Sequence, residues 1–314
     1  MDPERIAQLK KGAFICLGLT MTLPVVSSPV ALLVGIVFSL LFGNPFFAQV
    51  AKLSKSLLKL SVVGLGFGVN IVAVLEVGRS ALLLTLTSIS LTLAIGALLG
   101  RMLAVPQRTR ALLSFGTAIC GGSAIAALAP IVKAKDEEIA VSLATVFTLN
   151  AIALLVFPPL GGLFGLSQQQ FGLWAALAIH DTSSVVGASA AFGSVALAVG
   201  TTAKLTRALW IAPCSLVASW HYRSGQQRLN LPLFILGFIA AALVNSALPD
   251  LQPVWQGISQ VAKQALVVCL FLIGSGLTKQ LLRQVGARPL LLGIILWLLV
   301  SSVTLLLILR GFIG

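Results

Sequence analysis

Long apolar runs separated by short polar links cover most of this 314-residue chain. The runs fall at approximately 13–27, 29–43, 57–77, 80–100, 109–133, 137–158, 170–191, 194–220, 230–248, 255–278 and 289–311. A membrane-crossing helix needs about 20 mostly apolar residues. The pattern therefore predicts an all-α polytopic membrane protein with about eleven crossings in a single domain, 1–314. Composition agrees: 58% of residues are hydrophobic, 9% are charged and mean hydropathy is +1.05, whereas soluble domains carry roughly 25% charged residues.

The formal charge is +13. A nucleic-acid footprint would cluster Lys and Arg on one solvated face, but here they punctuate the ends of apolar runs. The groups are Arg5, Lys10 and Lys11; Lys52, Lys55 and Lys59; Arg101, Arg108 and Arg110; Arg223 and Arg228; and Lys279, Arg283 and Arg288. Placing each on the cytoplasmic side fits eleven crossings with the N-terminus inside and the C-terminus outside. The link at 133–138 resists, because it would be external while carrying Lys133 and Lys135.

Cys16, Cys120, Cys214 and Cys269 are isolated within apolar segments, which predicts neither a disulfide framework nor a metal site. Residues 1–27 have the basic and apolar regions of a signal peptide, but ten further runs make a retained first helix the simpler expectation. No phosphate-binding or zinc-hydrolase motif is present, so no cofactor is expected beyond a coupling H+ or Na+.

Two internal correspondences stand out. Gly68 and Gly276 are each followed ten residues later by another glycine, Gly78 and Gly286, then a basic residue and a long apolar run. Upstream, Pro29 with Gly35 mirrors Pro232 with Gly237, so 29–100 reads as a divergent copy of 232–311. In the eleven-crossing count the copies start seven crossings apart, an odd number that would invert them, an architecture of secondary transporters. The second correspondence links 117–150 with 180–207, each a Gly-broken polar helix followed by a helix with a polar residue deep inside. These broken segments, within 109–158 and 170–220, form the predicted core.

Candidate chemistry concentrates there. Breaks in helices at membrane depth are tolerated where they line a cavity or bind a ligand. Thr117, Cys120, Gly121, Gly122 and Ser123 make one break, where free N–H groups could face an anion. His180, Asp181, Thr182, Ser183 and Ser184 make the other. Asp181 is the one acid of eight expected at depth, which marks it as a proton or cation site with His180 as partner. Lys204 and Arg207 share a helix face and could neutralise Asp181 or meet an anionic solute. Asn70 and Asn150 are weaker ion-coupling candidates, and Lys263 reads as a snorkelling side chain. Close packing through small residues is the bland reading of Gly121 and Gly122, and a buried polar network that of the 180–184 run.

The strings LSFGTAICGGSAIAALAPIVKAKDEEIAVSLATVF, AIHDTSSVVGASAAFG and TTAKLTRALWIAP resemble the YeiH-type family of bacterial inner-membrane proteins, which carries a sulfate-exporter label. That family is grouped with the cation/proton antiporter and bile acid:sodium symporter superfamily. The resemblance spans nearly the whole chain and implies crossed discontinuous helices, elevator-like alternating access, a site at Gly121–Ser123 with His180–Ser184, and an inner-membrane location. One departure is that the second broken segment precedes the copy at 232–311. The expectation is a secondary transporter of a small anion such as sulfate or a sulfonate, with the lipid bilayer as partner and a homodimer as an open assembly. A Na+/H+ type antiporter is the rival within transport. An intramembrane enzyme using His180 and Asp181 lacks a nucleophile motif, and a structural scaffold would not need a deep acid.

Overall fold

In the computed structural model, residues 3–222, 233–276 and 286–313 are described, and among them the regular structure is helical, without strands. Arg223, Arg228, Pro232, Lys279 and Arg283, named above, lie outside these residues. Among the described residues, four helical stretches are long and apolar enough to cross a membrane: Leu84–Met102, Glu137–Leu163, Pro249–Ser275 and Ala287–Leu309. Two shorter apolar helices, Val30–Phe42 and Leu233–Ala247, accompany them.

The chain divides into two compact units, Met1–Val74 with Leu233–Gln280, and Leu75–Pro232 with Leu281–Gly314. The first contains α1 (Pro3–Thr20), α2 (Ser28–Phe42) and α3 (Phe47–Gly66), with the division falling inside α4 (Ile71–Met102). The second contains α5 (Gln107–Ala118), α6 (Gly122–Leu128), α7 (Asp136–Leu163), α8 (Gln168–Ala178), α9 (Thr182–Phe192), α10 (Ser194–Leu209) and α11 (Ile211–His221). Helices α12 (Leu233–Ala247) and α13 (Gln252–Ser275) return to the first unit, and α14 (Ala287–Leu309) belongs to the second.

Reciprocal contacts organise the first unit. Gly35 of α2 abuts the carbonyl of Phe271 on α13, and Gly237 of α12 abuts Val63 on α3. At the spacing that pairs Gly68 with Gly276, Val63 is the counterpart of Phe271. The return contacts match: Gly66 lies against Phe238 of α12, and Gly274 against Leu32 and Ile36 of α2. A Cβ at Gly35 or Gly274 would overlap backbone, so glycine there is what lets the helices touch. Helix ends are also traded, since Asn44 Nδ2 donates to the Ser275 carbonyl at 2.9 Å and Asn245 Nδ2 to the Val69 carbonyl at 3.1 Å.

In the second unit, the runs at 109–133 and 170–191, expected as separate crossings, turn back on themselves. Twelve residues of α5 extend about 18 Å, roughly half of a membrane's hydrocarbon core of about 30 Å. After a break at 119–121, α6 doubles back, and Gly116 of α5 meets Ile125 of α6. The start of α7 consequently lies beside the start of α5: Arg108 and Glu138 approach to 3.9 Å. Gln107, Arg108, Lys135, Glu138 and Tyr222 line one open pocket of about 490 Å³. Ser167 and Gln170 form a capping box that opens α8. Helices α8 and α9 close the same way, with Phe171 near the start of α8 stacking on Phe192 at the end of α9, ring centroids 3.9 Å apart. Gln168 Oε1 accepts the Val195 N–H at 2.9 Å, holding the mouth of this second hairpin.

The hairpins enter from opposite faces. Helix α7 starts beside the mouth of the first, passes its tip at Val146 and Phe147, meets the tip of the second at Asn150 and ends next to the mouth of the second. Helices α10 and α11 run the other way, from Gln168 back to the pocket at Tyr222.

Cysteines placed at the exposed Gln107 and Lys135, in a background without native cysteines, should react with an impermeant maleimide from one and the same side. Cysteines at Gln169 and Ser194 should react from the other. Labelling of positions 107 and 135 from opposite sides would replace the first hairpin with a through-crossing.

Candidate functional site

The site is where the two hairpin tips touch. At the first, Ile119 leaves helical geometry and Gly121 takes φ 64°, ψ −125°, a conformation open in practice to glycine alone. A Cβ on Gly121 would sit 3.3 Å from Asp181 Cα, so the tips are in van der Waals contact. At the second, Ile179 and Asp181 are extended, and Asp181 serves as N-cap of α9.

Breaking a helix frees carbonyls at the end of its first half and N–H groups at the start of its second. Lys204, fully buried on α10, donates through Nζ to the carbonyls of Ala176 at 3.2 Å and Ile179 at 2.7 Å. Arg207, also fully buried, donates through Nε to the Ala118 carbonyl and through Nη1 to the Leu177 carbonyl, both at 2.7 Å. One guanidinium thus joins the ends of α5 and α8. Asn150 Oδ1 accepts the N–H groups of His180 at 3.1 Å and Asp181 at 3.3 Å. The peptide between Ile179 and His180 is gripped from both sides, its carbonyl by Lys204 and its N–H by Asn150.

Asp181 is partly exposed, and its Oδ2 accepts from the Ser183 N–H at 3.0 Å and from the Ser183 hydroxyl. His180, Thr117, Cys120, Thr182 and Ser184 are buried around the junction. Ser123 is exposed, and Gly122 faces the Phe147 ring of α7, 3.0 Å from where a Cβ would stand. A methyl at Gly122 therefore meets the Phe147 ring first. Asn70 belongs to the other unit, where its Oδ1 accepts the Val72 N–H at 2.8 Å and caps α4. Sequence reasoning missed Gln168 and Phe147; the Ser-x-x-Gln box at 167–170 was the available signal for the former. Among the described residues no His/Cys/Asp/Glu cluster could hold a metal ion.

The family described as conserved hypothetical protein 698 matches residues 13–293. A UPF0324 membrane protein of Geobacter sulfurreducens is 50% identical over 95% of this chain and 96% of its own length. Others, from Bdellovibrio bacteriovorus and Shewanella oneidensis, are 48% and 46% identical over 100% and 97% of this chain, and 97% and 94% of their own lengths. No solved structure matches the chain.

Charge-assisted hydrogen bonds contribute about 1.5–3 kcal/mol each. Lys204→Met and Arg207→Met should each lower unfolding stability in detergent by about 3 kcal/mol or more, read by urea titration. Gly121→Ala, forced into a glycine conformation, should cost more than Gly122→Ala in the same titration; the reverse order would place the strain elsewhere.

Proposed function

Because this chain belongs to the family of conserved hypothetical protein 698, whose relatives above are named membrane proteins, we propose that it is a membrane-embedded secondary transporter of a small anion. The observation that carries this reading is the meeting of two hairpin tips that reach mid-depth from opposite faces. Such a junction can be uncovered to one side by moving one hairpin and to the other by moving its counterpart. Irregular backbone at that depth is tolerated only when buried in protein or lining a cavity.

Topology supports the same reading. Removing the two hairpins from the eleven expected crossings leaves about nine, still with the N-terminus inside and the C-terminus outside. The link at 133–138 then moves to the cytoplasmic side, so that Lys133 and Lys135 join the other basic groups. The reciprocal contacts of α2 and α3 with α12 and α13 agree with an inverted repeat.

Two cations and one carboxylate at the junction favour an anion, and the family resemblance points to sulfate or a sulfonate. Asp181, partly exposed and with its carboxylate held by Ser183 alone among the hydrogen bonds described, is the coupling site for H+ or Na+. A cation/proton antiporter is the second reading, favoured by the commitment of Lys204 and Arg207 to backbone carbonyls.

In proteoliposomes, wild-type protein should move labelled sulfate or a sulfonate in response to a pH or sodium gradient. Asp181→Asn should insert and fold yet lose the gradient dependence. Unchanged coupling in Asp181→Asn would make the carboxylate a helix cap only, and gradient-driven cation exchange without any anion would select the antiporter.

A further inference from the structure

Four buried side-chain atoms at the tip junction make no hydrogen bond to any of the described residues: Thr117 Oγ1, Asn150 Nδ2 and both ring nitrogens of His180. The three residues are 1%, 2% and 2% exposed. An unmet buried donor or acceptor costs about 1–3 kcal/mol, and buried polar groups are almost always partnered. The set is held together by the junction itself. Asn150 grips the backbone of His180, and the Arg207 guanidinium ties the carbonyl next to Thr117 to that of Leu177.

The orientation of the Asn150 amide follows from its neighbours. Two backbone N–H groups face Oδ1, and a flipped amide would set its NH2 against both. The free end is therefore Nδ2, which can only donate. Neutral imidazole brings one N–H donor and the Thr117 hydroxyl another. Donors of this kind, beside two cations, suit an acceptor-rich, negatively charged solute. They offer a hard cation few of the oxygen ligands it requires.

We propose that Asn150 is a solute-binding residue with a divided amide: Oδ1 fixes the tip of the second hairpin, while Nδ2 donates to an oxygen of a small oxyanion whose donor set is completed by His180 and Thr117. This rests on the anion-transport reading above. It moves Asn150 and His180 from ion coupling, where the sequence suggested them, to solute recognition, and leaves coupling to Asp181.

Two variants separate the halves of the amide. Asn150→Asp keeps an accepting oxygen and removes the donor. Asn150→Thr does the same without adding charge, because a hydroxyl on α7 donates back to the carbonyl four residues earlier, as those of Ser142, Thr145 and Thr148 do. The full-length protein is titrated calorimetrically with sodium sulfate and sodium methanesulfonate, and thermal unfolding without oxyanion reports the fold. Wild type should bind. Both variants should unfold near the wild-type midpoint yet bind at least tenfold more weakly, and Thr117→Val, which deletes only a hydroxyl, should weaken binding as well. A folded Asn150→Thr protein with wild-type affinity would overturn the assignment and leave Asn150 a backbone cap. Should both Asn150 variants fail to fold, Thr117→Val decides: unchanged affinity overturns the donor set, and weakened affinity sustains it. Wild-type protein that binds neither oxyanion but exchanges cations in liposomes removes the anion reading itself, and this site with it.

Discussion

Everything in the second unit depends on satisfying the backbone groups set free where two helices stop inside the unit. In hydrocarbon, each unmet carbonyl or N–H would cost several kcal/mol. Water cannot meet them there, so side chains from neighbouring helices must. Lys204 and Arg207 cover carbonyls at the ends of α5 and α8, while Asn150 and Asp181 cover N–H groups at the start of α9. The caps are exchanged: α7, which follows the first hairpin, supplies Asn150 to the second, and α10, which follows the second, supplies Arg207 to the first. Neither tip is complete without the other half.

Charge follows the same logic. The ends of α5 and α8 carry the negative poles of their helix dipoles, and the two buried cations stand there. The start of α9 is a positive pole, and it receives the carboxylate of Asp181 as its cap. Buried lysine and arginine thus find stabilisation in backbone carbonyls without needing a carboxylate partner, and Asp181 stays available and partly exposed. Capping leaves polar atoms over in this small volume because several of these side chains present more than one. Asn150 shows this most plainly, with one end of its amide engaged and the other free.

The first unit solves a different problem. Its helices carry little polar chemistry and gain contact by approach, with Gly35, Gly66, Gly237 and Gly274 placed so that each helix pair meets at a position without a Cβ. Without a hydrophobic drive between helices in lipid, such close packing is a principal source of association. The reciprocity of these contacts agrees with the pairing of Gly68 with Gly276 noticed along the sequence.

Apolar runs, the polar strings at 117–123 and 180–184, and the deep lysine, arginine and asparagine were all legible in the sequence. Each is local: a Gly-Gly pair loosens a helix, and a carboxylate in an apolar run is conspicuous wherever the run sits. Whether a broken run passes through the membrane or turns back is not local. The α5 and α6 arms, with their break and tail, have the length and apolarity of one crossing, so hydropathy reads the two alternatives alike. Contacts distant in sequence, such as the approach of Arg108 to Glu138 and the stacking of Phe171 on Phe192, distinguish them. The partners of Lys204 and Arg207 were hidden for a related reason. Backbone carbonyls are the same at every residue and leave no trace in the sequence; which of them a cation reaches is decided when the tertiary structure brings two helix ends to one point.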